Sequence, residues 1–222
     1  MTHLPFDLQL LNACAALLLL LSFAMLSQRR IVSLVNLLAV QGAVLAAVTL
    51  LVAWRTGQGQ LYFSATLTIA LKVIFLPWLL HRLIRRLQVY WDTEPLLNIS
   101  GTMLLGLVIV VFAFGLAQPI TQLANTAMRD AIGIAIAAVL LAFLMMITRR
   151  KALSQVVGFL SMENGLFFGA MSATYGMPMV VELGVALDVL VAMLVLGVFF
   201  FQIREQFDSL DLHHLESLKE TE

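Results

Sequence analysis

Five polar side chains interrupt long apolar stretches of this chain: Gln41, Lys72, Glu163, Asn164 and Asp188. A charged group at a bilayer centre costs at least about 2.5–3.5 kcal/mol on insertion scales, and such residues commonly mark proton or ion pathways. A carboxylate, an amine and a second carboxylate at one depth can pass protons sideways. Burial moves such groups toward titration near neutrality and pairing opposes the shift, so either protonation state is reachable. Water bridges gaps longer than a hydrogen bond. The alternative use of the same residues is structural, as a buried ion pair and hydrogen bonds that lock helices together. Glu182 is a separate case. It lies four residues after Pro178 and six before Asp188, which points the two acids about 120° apart on a helix. It is either a carboxylate favoured at a helix N-terminus or a second proton-handling group.

These residues need helices that cross a membrane. The chain has 222 residues, of which 61% are apolar and 12% charged, with a mean hydropathy of +0.98. A soluble domain is about 45–50% apolar and about 25% charged. The expected fold is therefore all-α, a polytopic membrane protein in one membrane domain. A crossing takes about 20 apolar residues, and seven segments qualify: about 6–26, 31–54, 61–80, 96–117, 127–147, 153–175 and 178–203. Asp92–Pro95 and Tyr175–Pro178 read as turns. At 1.5 Å per residue, Gln41, Lys72, Glu163 and Asp188 each fall roughly 15 Å from the start of their span, close to the midplane.

The loops fix an orientation. Arg29, Arg30, Arg82, Arg85, Arg86, Arg149, Arg150, Lys151, Arg204 and Lys219 fall on one side, and only Arg55 and Arg129 on the other. The basic side is expected to be cytoplasmic, with the N-terminus outside and the C-terminus inside. The tail, 204–222, alternates leucines with acids. It reads either as an amphipathic segment on a partner or at the interface or as a solvated terminus.

A stand-alone ion transporter is permitted by the short loops and seven spans, though no broken-helix substrate site is obvious; other functions find little support. Lys+Arg and Asp+Glu balance at 13 each, unlike a nucleic-acid binder with its clustered basic face. Cys14 is the only cysteine, too few for an iron–sulfur cluster or a structural zinc. His3, His81, His213 and His214 fall at span ends or in the tail, which does not suit a haem between helices. No cofactor, metal or catalytic residue is expected in this chain. Trp78, in the run Phe75–Trp78, reads as an interfacial anchor.

An internal repeat is visible. Ala70-Leu-Lys72-Val in the third span matches Ala186-Leu-Asp188-Val in the seventh, and Arg29-Arg30 precedes the second span as Arg149-Arg150 precedes the sixth. Gln41-Gly42 then matches Glu163-Asn164-Gly165 in depth. An offset of four helices keeps direction, so the repeat is parallel.

The stretch from Arg149 through Ser161-Met-Glu-Asn-Gly165 and Val181–Leu196 to the tail, with Leu71–Leu80 upstream, resembles hydrogenase-4 component E, a membrane subunit of formate-hydrogenlyase-like complexes. The resemblance covers nearly the whole chain. More distantly, the last two spans resemble those of the K subunit of respiratory complex I and the C subunit of Mrp-type antiporters. The resemblance implies part of a proton- or sodium-pumping membrane arm, with no redox catalysis by this chain alone. Partners would be antiporter-like membrane subunits and peripheral redox or hydrogenase subunits carrying [NiFe] and Fe–S centres. The location would be a prokaryotic inner membrane. Asp188 matches the second of two intramembrane glutamates of the K subunit. Glu163 falls about one helical turn later than the first when aligned on the basic pair and Gly158. Residues three apart share a helix face, so it can serve the same path.

Overall fold

The computed structural model describes residues 6–87, 98–121 and 126–174, with 184, 187, 190, 191, 193 and 197 beyond them. These residues are helical except at short turns. The helices are α1 (Phe6–Ser27), α2 (Ile31–Thr56), α3 (Gly59–Thr68), a π-helical segment (Ile69–Phe75), α4 (Leu76–Leu87), α5 (Ile99–Thr121), α6 (Thr126–Thr148) and α7 (Ala152–Thr174). Six stretches among the described residues are long and apolar enough to cross a membrane, α3, the π segment and α4 forming one of them. Six of the seven expected spans thus fall among the described residues. The span expected at about 178–203 is described at only the six scattered residues above. Glu182, Asp188, the tail 204–222 and the turns at 92–95 and 175–178 lie outside the described residues.

The third span is longer than expected. It runs unbroken as Gly59–Arg86, 28 residues, or about 42 Å at 1.5 Å per residue. That exceeds a hydrocarbon core of about 30 Å, so an upright span would carry its last turns beyond the apolar layer. Their pattern is amphipathic at helical spacing. Leu76, Leu79, Leu80, Leu83 and Ile84 are buried, while Trp78, Arg82, Arg85 and Arg86 are exposed. The Arg82 guanidinium lies 5.5 Å from the Trp78 ring centroid, consistent with an anchor at the interface.

Short turns force neighbouring helices antiparallel. α2 ends at Gly57, which adopts φ 65° and returns its N–H to Ala53; glycine enters this left-handed region without a Cβ penalty. The core gathers Leu18 and Leu21 of α1, Leu45 and Val48 of α2, Leu61 of α3, Ala135 and Ala138 of α6, and Phe168 and Met171 of α7. α5 turns Leu104, Leu107, Val108, Val111 and Phe112 outward, an apolar face that suits lipid better than water.

α6 and α7 approach closely through small residues, the usual means where lipid removes the hydrophobic drive between helices. A Cβ at Gly165 would stand 3.0 Å from Val139 Cγ2, 3.2 Å from its backbone nitrogen and 3.3 Å from Ala138 Cβ. One at Gly169 would stand 2.9 Å from Ala135 Cβ. This seam holds Glu163 and Asn164 at a fixed depth in the bundle.

Arg149 belongs to the basic run after α6, yet only 4% of it is exposed. Its Nη2 donates to the carbonyls of Leu26, at 3.0 Å, and Gln28. These carbonyls lie at the C-terminal end of α1, where helices leave acceptors unsatisfied and cations are favoured. The α1–α2 and α6–α7 turns are thereby tied together at one end of the bundle.

Candidate functional site: a buried lysine–glutamate pair with an amide arm

The site is assembled by α1, α2, the π segment and α7. Lys72 is the middle residue of Ile69–Phe75. The wider turn of a π-helix presses the backbone outward, and such segments recur at functional sites. α2 accommodates it with a glycine: a Cβ at Gly42 would lie 3.0 Å from Lys72 Cβ and 3.3 Å from the Lys72 carbonyl oxygen.

Lys72 Nζ donates to Glu163 Oε1 at 2.8 Å and to Asn164 Oδ1 at 2.9 Å. The ion pair is enclosed, with side chains 4% and 2% exposed. Taking two charges out of water costs several kcal/mol per ion, offset only by close pairing and further hydrogen bonds. Asn164 supplies one such bond. The Phe167 ring supplies another favourable contact, its centroid 5.5 Å from Nζ. Phe167 follows Glu163 by four residues, hence on the same face of α7. Gly184 packs against that ring so tightly that a Cβ would stand 2.6 Å from Phe167 Cδ2.

The polar chain continues away from the charges. Asn164 Nδ2 donates to Gln41 Oε1 at 3.2 Å, Gln41 Nε2 donates to Ser22 Oγ at 3.1 Å, and Ser22 Oγ donates to the Leu18 carbonyl at 3.0 Å. Gln41, Asn164 and Ser22 are all buried. Four of the residues singled out by type, Gln41, Lys72, Glu163 and Asn164, thus meet in one network. Asp188 and Glu182 fall outside the described residues. Ser22 is the member that sequence reasoning missed; its only signal is a hydroxyl within the leucine-rich end of α1. His81 is not part of the network: its Nδ1 bonds the Pro77 carbonyl at 2.7 Å.

Chemically, the site holds one buried ion pair of an ammonium and a carboxylate. The attached amides can orient the pair but do not themselves titrate near neutrality. Apolar helices surround the charges, and Glu163 and Lys72 are the twelfth and fourteenth residues of their spans.

The fold and this site together define an integral membrane protein of the polytopic α-helical class, built around a buried lysine–glutamate pair. The chain is 36% identical over 212 residues to uncharacterized protein Rv0085 of Mycobacterium tuberculosis, covering 95% of this chain and 96% of that protein. It belongs to the same family as that protein. It is also 24% identical over 210 residues to hydrogenase-4 component E of Escherichia coli K12 and of Shigella flexneri, covering 95% of this chain and 97% of each relative. No family model and no solved structure matches the chain.

Proposed function

We propose that this protein is a membrane subunit of a hydrogenase-like multisubunit redox complex, and that it contributes to a lateral path for H⁺ or Na⁺. The observation that carries the reading is the enclosed Lys72–Glu163 pair at 2.8 Å, in a chain related along nearly its whole length to a hydrogenase-4 component. An ion pair this deep is costly, and a proton arriving at Glu163 would break it and leave the ammonium held by Asn164. That exchange is the elementary step of charge movement through buried groups. Asp188 is the second acid of the proposed path on sequence grounds, with Gln41, Asn164 and Glu182 in support.

The remaining parts of the reading follow from it. Redox centres, [NiFe] and Fe–S, would belong to partner chains, with antiporter-like subunits beside this one in a prokaryotic inner membrane. The N-terminus would be outside and the C-terminus cytoplasmic. A distant kinship with the complex I K subunit and Mrp-type antiporters belongs to the same proposal. So does the parallel repeat, which the Asn164–Gln41 hydrogen bond between matched positions supports.

The first test is gentle extraction of the native complex and mass spectrometry of the chains that co-purify. A large hydrogenase-like subunit with antiporter-like membrane chains is expected; isolation of this chain alone, in a detergent that preserves other complexes, overturns the reading. The second test places the complex in proteoliposomes driven by reduced methyl viologen. Dye quenching reports H⁺ and radiolabelled Na⁺ reports sodium. Lys72→Met and Glu163→Gln should each abolish ion movement while redox turnover continues.

A structural reading of the same pair is favoured by its hydrogen bonds: Lys72 joins Glu163 and Asn164 of α7, and Asn164 in turn joins Gln41 of α2. It predicts instead that Lys72→Met/Glu163→Gln restores both assembly and ion movement.

A further inference from the structure

Lys72 is an ammonium and can only donate hydrogen bonds. That fact sets the direction of every link beyond it. Asn164 must turn its carbonyl oxygen to Lys72, at 2.9 Å, which leaves its amide nitrogen facing α2. Gln41 must then present Oε1 to Asn164 and Nε2 to α1. Ser22, having accepted from Gln41, sends its own proton to the Leu18 carbonyl. All the donors point away from Lys72, and the chain ends on a backbone oxygen of α1. Hydrogen bonds that run head to tail in a dry interior polarise and strengthen one another.

From this geometry we infer that Ser22 is a positioning residue: the terminal anchor of a one-way hydrogen-bonded arm, Ser22–Gln41–Asn164, that holds the Lys72 ammonium from α1 without touching it. The arm is an end stop rather than a branch of the ion path. Its two amides have no proton to give up near neutrality, and its last acceptor is a helix carbonyl. When Glu163 takes a proton, Asn164 Oδ1 still holds the ammonium, so the charge stays at its depth. Movement leaves through the Glu163 side. The use of the arm in ion movement rests on the function proposed above, whereas its existence as a positioning device does not.

The test exploits the lysine count. The chain has three lysines, Lys72, Lys151 and Lys219, and only Lys72 lies inside a span. Nitrogen-15 lysine labelling of the full chain in lipid bilayers gives a buried Nζ resonance, assigned by its loss in Lys72→Arg. Ser22→Ala and Gln41→Met break different links. Both are expected to shift or broaden the Lys72 resonance by more than its line width, leaving Lys151 and Lys219 unmoved. Ser22→Thr, which keeps the hydroxyl, is expected to restore it. Asn164→Leu is the positive control for sensitivity. A Lys72 resonance unchanged in both Ser22→Ala and Gln41→Met, with Asn164→Leu shifted, overturns the inference.

The transport measurement separates this from the larger reading. In the driven proteoliposomes, Ser22→Ala should slow ion movement and Ser22→Thr recover it, with no further effect of Ser22→Ala in a Lys72→Met background. Ion movement that survives Lys72→Met removes the proposed function and leaves the spectroscopic result standing. Loss in Lys72→Met with full activity in Ser22→Ala removes the use of the arm in ion movement alone.

Discussion

At the residue scale, what was legible in the sequence was charge in the wrong place. Lys72, Glu163, Gln41 and Asn164 each interrupt an apolar run, and a desolvated charge must find a partner; the structure brings all four together. Ser22 and Arg149 were not legible, for opposite reasons. A serine in an apolar helix costs little because its hydroxyl can bond the preceding turn, as Ser22 does. Arg149 sits in a run of three cations that resembles a solvated turn, and only the approach of the α1 end converts it into a cap. Removing one member of the Lys72–Glu163 pair leaves a buried uncompensated charge, so Lys72→Met or Glu163→Gln should each cost about 3–5 kcal/mol. The double replacement should regain most of it. Unfolding of the purified chain in mixed micelles checks both, and additive losses would show that the pair is not coupled. Ser64 supplies the converse case. Its buried hydroxyl makes no hydrogen bond among the described residues, and an unsatisfied buried group costs about 1–3 kcal/mol. Ser64→Ala is expected to be neutral or stabilising in the same assay.

At the element scale, composition and hydrophobic run length dictated helices but not their local winding. Ile69–Phe75 contains neither proline nor glycine, and its residues are apolar around nearly the whole circumference, so no periodicity distinguishes a π turn from an α turn. The π segment is legible only across the interface, in the missing Cβ of Gly42 against Lys72. Glycines on α7 differ in what they face, and the difference ranks their substitutions. At Gly165 a methyl meets the Val139 backbone nitrogen at 3.2 Å, which cannot retreat without moving α6. At Gly158 it meets Met146 Cγ at 2.7 Å, part of an unbranched side chain that can change rotamer. Overpacking costs about 1–3 kcal/mol. Gly165→Ala should fall at the upper end of that range and Gly158→Ala at the lower, read as thermal stability in detergent. Gly184→Ala should act differently again. It displaces the Phe167 ring from which Lys72 gains a cation–π contact, so it should shift the Lys72 Nζ resonance as well as lower stability. Equal effects from the three alanines would contradict this account of the packing.

At the scale of the whole molecule, the distribution of cations and the ties between turns give the proposed orientation its test. Arg29, Arg30, Arg82, Arg85, Arg86, Arg150 and Lys151 are exposed, and the Arg149 hydrogen bonds bring two of the turns that carry them to one end. Burial takes Arg149 out of the solvated charge on that side, which leaves seven exposed cations there among the described residues against Arg55 at the other end. The opposite end carries exposed Trp54, Tyr62 and Phe63 around the Gly57 turn, aromatic residues that favour the headgroup layer. With one native cysteine, at position 14, the orientation can be read directly. In a Cys14→Ser background, a membrane-impermeant maleimide added to intact cells should label Gln58→Cys, in the two-residue turn after α2. It should leave Gln28→Cys unlabelled until the membrane is opened. The reverse pattern would place the basic end outside. The buried pair would then face the opposite gradient, and the proposed coupling of ion entry to a cytoplasmic redox partner would need to run from the Arg55 side.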